Sequence, residues 1–210
     1  LPMKKFLLID DHKVVRSGIS NLLSTMYIPC EVDEASDADM VIEKLKKQEY
    51  DLIMMDVQIP NNDMLGLMEY VHTKYPLAKV LIFSMSPENI YAKRFLKAGA
   101  KGFLSKDSQL DEITKAINLV LSNRKYISET LAETLAESLS SGKSGNPFDN
   151  LSLREFEITS LLLSGQSLSD ISRSLNLQPS TIGTHKARAF EKLKVTNLME
   201  LKDLATSYHL

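Results

Sequence analysis

A single cysteine, Cys30, occurs in the 210 residues. That scarcity excludes an internal disulfide and any metal site built from several thiolates, and it fits a reducing compartment. No apolar run approaches the ~20 residues that a helix needs to span a bilayer, and no signal-peptide pattern precedes the first apolar segment. The expectation is a cytoplasmic protein without a membrane partner. Charge of one sign is lacking too: 25 basic and 27 acidic side chains give a formal charge of −2 at pH 7. No global basic excess therefore advertises nucleic acid. Leu1 and Pro2, ahead of Met3, read as an appendage and carry no fold expectation.

What is present is ordinary for a globular protein, with 43% hydrophobic and 25% charged residues, and the length suffices for one large domain or two small ones. The charge is unevenly spread. Residues 1–122 carry 15 basic and 17 acidic side chains, residues 123–147 carry 3 and 3, and residues 148–210 carry 7 and 7. Inside that last neutral segment, Pro179–Lys194 holds Lys186, Arg188, Lys192 and Lys194 against only Glu191.

The first 122 residues alternate two periods. Short apolar runs ("KFLLID", "DLIMMDV", "KVLIFS", "GFLSK") read as strands buried on both faces. Between them lie stretches with helical spacing. Val15, Ile19, Leu22, Leu23 and Met26 share one face of 12–27; Met40, Val41 and Leu45 do so in 37–48. Leu67, Met68 and Val71 share a face of 64–74, and Leu110, Ile113, Ile117 and Val120 one of 109–122. A strand–helix alternation repeated five times predicts a five-stranded doubly wound parallel sheet. The strand "CEVDEA" alternates apolar with polar, which suits a sheet edge.

"SGKSGNP" at 141–147 is Gly/Ser/Pro punctuation, a linker signal. Just before it, "SETLAETLAESLSS" is amphipathic, with Leu131, Leu135 and Leu139 spaced by four, and reads as a short helix. Every segment after the linker is short and helical. Ser152–Glu155 and Ser167–Asp170 have capping-box form, and Pro179 stands where a first helical turn begins. The expected order is a helix, a turn at Gly165, a nine-residue helix, a three-residue turn, a basic helix, and a last segment from Leu198 to about Tyr208. That is a helix-turn-helix core in a small all-α four-helix unit.

The sharpest feature of the chain is the pair Asp10–Asp11 at the end of the first strand. Two like charges at about 4 Å repel by about 4 kcal/mol at an effective dielectric near 20. Either both point into water or a cation sits between them. In a doubly wound sheet, ligands bind outside the carboxyl ends of the strands. Polar residues at those ends are Asp10 and Asp11, then Asp56, Ser84 and Lys106 after the third, fourth and fifth strands. Three carboxylates, a hydroxyl and an ammonium converging on one edge suit Mg²⁺, a hard cation that takes oxygen ligands and keeps several waters. One carboxylate then serves as a nucleophile toward a phosphoryl group. Asp56, on a central strand, is the candidate, with Lys106 and Ser84 as partners of the phosphoryl oxygens.

These residues carry a resemblance. Residues 3–122 resemble the receiver domain of two-component response regulators, a flavodoxin-like fold. The acid pair, the aspartate in "MMDVQIP", the hydroxyl in "IFSMS" and the lysine in "GFLSKD" carry it. Residues 148–210 resemble the LuxR-type helix-turn-helix, through "LSLREFEITSLLLSGQSLSDISRSLNLQPSTIGTHKARAFEKLKV". With 123–147 as linker, the two make the NarL/FixJ architecture. The resemblance implies a DNA-binding transcription regulator, not an enzyme, phosphorylated on Asp56 by a sensor histidine kinase or a small phosphodonor. It makes Asp11 a direct Mg²⁺ ligand, Asp10 a ligand mainly through water, and the backbone carbonyl of Gln58 a further ligand. Ser84 and Phe103 fall at the switch positions, with Phe103 rotating inward as Ser84 moves. Two features depart from the usual pattern: "PNNDMLG" at 60–66 is two residues longer than is common, and Met85 is bulkier than the small residue usual there, which narrows access to the phosphoryl group.

The helix from Pro179 to Lys194 is then expected in the major groove of double-stranded DNA, its N-terminal residues near base edges. Ser180, Thr181, Thr184 and His185 suit base or phosphate contacts. Lys186, Arg188 and Lys192 supply the salt-dependent attraction, and Ile182, Phe190 and Leu193 face the core. Family members usually carry a lysine at the Gly183 position and a contact residue at Ala187, so fewer base contacts and more reliance on dimerisation are expected. Leu198, Leu201, Leu204 and Ala205 form a stripe that either closes the core or meets a second copy. Two readings of other classes stand beside it. An aspartyl phosphatase or phosphotransferase wants a second acid two residues after its nucleophile, where Gln58 stands. A partner-binding regulator would work by heterodimerisation without phosphate.

Overall fold

The computed structural model describes residues 2–60, 62–140 and 146–208. Most of the linker signal at 141–147 and the side chains of Leu135 and Leu139 lie outside the described residues. The chain divides into two compact units, Leu1–Thr134 and Leu135–Leu210.

In the first unit, β1 (Lys4–Ile9), β2 (Cys30–Ala35), β3 (Leu52–Met55), β4 (Val80–Ser84) and β5 (Gly102–Ser105) form one sheet in the order β2-β1-β3-β4-β5. Every neighbouring pair is parallel. Helices α1 (Lys13–Met26), α2 (Ala38–Lys47), α3 (Met64–Lys74) and α4 (Glu88–Lys97) connect the strands, and α5 (Leu110–Leu121) follows β5. The doubly wound sheet expected from the alternation is what forms. The run "LIMM" explains why β3 is central. Leu52, Ile53, Met54 and Met55 are all buried, and each buried side chain of this size stabilises by roughly 1.5–3 kcal/mol. Leu8, Met54 and Leu81 join Ile19 and Leu23 of α1 and Ile113 and Ile117 of α5 in one core cluster. By contrast, β2 is mostly half-buried, as its alternating sequence predicts for an edge.

The helix α4 was not legible as a face of its own, since its buried side among the described residues is Tyr91, Ala92 and Phe95. After α5 the chain stays on this unit. Tyr126 bridges to Gly102 beside β5, and a Cβ at Gly102 would come within 2.6 Å of the Tyr126 carbonyl oxygen. Ser128 Oγ donates to Glu88 Oε2 of α4 at 2.6 Å and accepts the Leu131 N–H at 3.0 Å. The start of α6 (Glu129–Ser140) is thereby capped and tied to α4, with Leu131 buried.

Beyond α6 the second unit holds a 3-10 turn, Pro147–Asn150, followed by α7 (Leu153–Leu163), α8 (Leu168–Ser174), α9 (Pro179–Leu193) and α10 (Leu198–Ser207). The capping box at Ser152–Glu155 forms in both directions. Ser167 Oγ likewise accepts the Asp170 N–H, but the Asp170 carboxylate meets the Ser167 hydroxyl instead of its backbone. Gly165 closes α7 at φ 87°, a left-handed conformation that glycine adopts without a steric penalty. The second helix is seven residues, not the nine expected. Asn176 turns left-handed at φ 50°, and a left-handed residue ends a helix. Ile158, Ile171, Ile182, Ala189 and Leu201 are buried. The expected core side of α9 is therefore the buried one.

Candidate functional site

At the carboxyl edge of the sheet, β1 and β3 are neighbours whose following helices lie on opposite sides, the crevice where open α/β sheets bind ligands. Asp10 follows β1, Asp56 follows β3, Ser84 ends β4 and Lys106 follows β5. All four converge. Lys106 Nζ lies 2.5 Å from Asp10 Oδ2 and 2.6 Å from Asp56 Oδ2. Ser84 Oγ donates to Asp56 Oδ1 at 2.5 Å, and the Gln58 N–H donates to the same oxygen at 3.2 Å. Ser84 Oγ also accepts the Ser86 N–H at 3.2 Å. Asp10, Asp56, Ser84 and the Lys106 side chain are buried. Burial pushes the Lys106 ammonium down, but its hydrogen bonds and charge attraction to Asp10 and Asp56 outweigh that and raise its pKa above the usual lysine value.

Asp10 and Asp11 separate in role. The buried Asp10 carboxylate takes the His12 N–H at 2.8 Å and the Lys106 ammonium. Asp11 is exposed, and its Oδ1 lies 2.8 Å from His12 Nδ1. It does not cap α1, whose N-cap is His12. Carboxylate oxygens of Asp10, Asp11 and Asp56 and a ring nitrogen of His12 lie within 4.8 Å of one another. A cluster dominated by carboxylate oxygens fits a hard divalent cation such as Mg²⁺. Sequence reasoning passed over His12 and also Arg16, which donates to the Asp10 carbonyl oxygen at 2.5 Å and pairs with Glu34. Arg16 lies in the first turn of α1, whose N-cap is His12.

Phe103 pairs with Ile82 across β4 and β5 and is buried. Met85 is 59% exposed, so most of its side chain lies in water instead of over the carboxylates. The longer 60–66 loop is pinned: Asn62 Oδ1 accepts the Ala38 N–H at the start of α2 at 2.8 Å. Asp63 caps α3 through the Gly66 N–H.

On α9, Ser180, Thr184, Ala187 and Arg188 are exposed, while Thr181, His185 and Lys186 are half-buried. Thr184 Oγ1 donates back to the Ser180 carbonyl oxygen, and Lys186 Nζ stands 5.2 Å from the Phe190 ring centroid. Burial, and then the nearby Arg154, push the His185 pKa down. Its Nδ1 is buried without a hydrogen-bond partner among the described residues. Lys192 Nζ lies 2.7 Å from Glu155 Oε2. A Cβ at Gly183 would meet nothing within 4 Å. On α10, Leu201 and Ala205 are buried, whereas Leu198 and Met199 are exposed.

Comparison with known proteins agrees with both halves. The family model of the response regulator receiver domain matches residues 6–118, and that of bacterial regulatory proteins, luxR family, matches residues 149–205. The response regulator GacA of Pseudomonas syringae is 33% identical over 207 residues, covering 98% of this chain and 97% of that protein. The response regulator UvrY of Escherichia coli is 32% identical over 209 residues, covering 99% and 96%. A solved structure of RcsB from Salmonella enterica serovar Typhimurium, bound to a promoter, has the same fold. Its TM-score is 0.60 at 24% identity, over 98% of both chains. The chain belongs to the response regulators, in the NarL/FixJ group that joins a receiver domain to a LuxR-type helix-turn-helix.

Proposed function

We propose that this chain is a DNA-binding transcription regulator switched by phosphorylation of Asp56, with a receiver at 3–122, a connection at 123–147 and a DNA-binding domain at 148–210. The observation that carries the proposal is the meeting of Asp10, Asp56, Ser84 and Lys106 at one strand edge. Asp56 is the nucleophile. One of its oxygens attacks the phosphorus of a sensor histidine kinase phosphohistidine or of a small acyl phosphate, and the bond to the leaving group breaks with its electron pair. Lys106 balances charge on the oxygens of the acceptor and the incoming group, and Ser84 turns its hydroxyl toward them. Asp11, Asp56 and the Gln58 carbonyl, with Asp10 through water, would hold Mg²⁺, which supplies charge neutralisation when bound. The phosphoryl group adds roughly −1.5 to −2 charge units, and Ser84 and Phe103 are the residues that read it.

The chain acts on no external substrate in this reading, and its place is the cytoplasm; no described helix is long and apolar enough to cross a membrane. On DNA, Ser180, Thr181, Thr184 and His185 reach base edges or phosphates, and Lys186 and Arg188 add salt-dependent attraction. The exposed Leu198 and Met199 suit a homodimer on a palindromic operator, its half-sites about 34–36 Å apart. The test is to incubate wild type and Asp56→Asn with acetyl phosphate and Mg²⁺. The wild type gains phosphate and binds its operator more tightly, and the variant does neither. Phosphate uptake by Asp56→Asn at the wild-type level would overturn the assignment.

A further inference from the structure

The cations of α9 are not equivalent. Arg188 is exposed and Lys186 lies over the Phe190 ring. Lys192, with a side chain 42% exposed, pairs at 2.7 Å with Glu155, a carboxylate whose side chain is only 5% exposed. The same Glu155 oxygen accepts the Ser152 N–H at 2.8 Å, and Ser152 Oγ accepts the Glu155 N–H in return. One carboxylate thus closes the first turn of α7 and holds the last turn of α9. Lys192 also stands twelve residues beyond Ser180, about 18 Å along a helix rising 1.5 Å per residue. The base-reading end of such a helix is its N-terminus.

A buried carboxylate stripped of its cation is strongly destabilising. The ammonium is therefore held by Glu155, and a phosphate that drew it away would leave that buried carboxylate with the Ser152 N–H alone.

We propose that Lys192 is a positioning residue that seats the recognition helix on α7 through Glu155, and that it does not bind DNA phosphate. The inference rests on the DNA-binding function proposed for this helix. The experiment uses the full chain and a duplex that the wild type selects from a random-sequence pool, titrated over a range of salt concentrations. Lys192→Gln is expected to weaken binding several-fold at every salt concentration while leaving the slope of log affinity against log salt unchanged. Arg188→Gln is expected to flatten that slope by roughly 1, the mark of a lost phosphate contact. The double variant Glu155→Gln/Lys192→Gln, in which neither charge is stranded, is expected to regain most of the affinity that Lys192→Gln loses. A slope reduced by roughly 1 in Lys192→Gln, with no recovery in the double variant, would overturn the proposal and return Lys192 to the phosphate contacts. A wild type that selects no duplex overturns the DNA-binding function itself, a result distinct from either slope.

Discussion

Lys106 holds its ammonium 2.6 Å from Asp56 Oδ2, although the two residues are 50 positions apart in sequence. The same nitrogen lies 2.5 Å from Asp10. This one cation therefore balances two buried carboxylates that would otherwise repel. Lys106→Met leaves both without it, and breaking a buried pair from one side destabilises by about 3–5 kcal/mol. Thermal melts in EDTA should show the loss, and added Mg²⁺ should raise the melting point of Lys106→Met more than that of the wild type. Equal melting of the two proteins in EDTA would mean that the ammonium contributes nothing to the resting fold.

Gly183 is a helix-interior glycine with open space where its side chain would be. Gly183→Ala should stabilise the second unit by up to about 1 kcal/mol, because alanine loses less backbone entropy and meets no neighbour. Gly183→Lys should also strengthen DNA binding at low salt and steepen the salt slope by roughly 1. Urea melts and salt-dependent binding titrations check the two parts separately. Destabilisation by Gly183→Ala would refute the first.

Burial alone would raise the Glu155 carboxyl, but the Lys192 ammonium and the Ser152 N–H hold it below the usual 4.5. A group with a depressed folded-state value contributes stability above its unfolded-state value and loses it as the pH falls through the folded one. The wild type should therefore lose part of its stability as the pH drops below 4.5, the unfolded-state value. Glu155→Gln removes that dependence. Unfolding followed at a series of acidic pH values should show a shallower decline for Glu155→Gln, and parallel declines would contradict the role given to this carboxylate.

Asn62 belongs to the long 60–66 loop and accepts the Ala38 N–H at the start of α2. Asn62→Ala leaves that amide without its acceptor, and lost helix-terminal bonds of this kind amount to about 1 kcal/mol. A urea midpoint unchanged in Asn62→Ala would show that water replaces the amide at no loss.

Much of this molecule is legible in the sequence because burial on both faces writes itself as an apolar run. "LIMM" and "VLIFS" are wholly buried, and the polar residues just past such runs are the site. The helix α4 escaped because Tyr91, Ala92 and Phe95 do not form a plainly apolar stripe. The length of α8 escaped because one left-handed Asn176 decides it. Lys192 shows only its charge in the sequence. Its partner Glu155 is 37 residues away, and only the packing of α9 on α7 brings the two together. His12 and Arg16 were passed over for a related reason. His12 meets Asp10 and Asp11 close in the chain, and Arg16 meets the Asp10 carbonyl and, 18 residues on, Glu34, but the turn that aims them is set by the finished sheet edge.

The order of the strands has a consequence during synthesis. Asp10, Asp56 and Ser84 emerge first, and the ammonium at position 106 arrives only with β5, which pairs with β4 at the rim of the sheet. A nascent chain halted before that strand carries Asp56 but none of the cation that tames its neighbourhood. Only a completed sheet offers Asp56 with the Lys106 ammonium beside it, so an upstream kinase would meet the full set of groups only on a regulator that has finished folding.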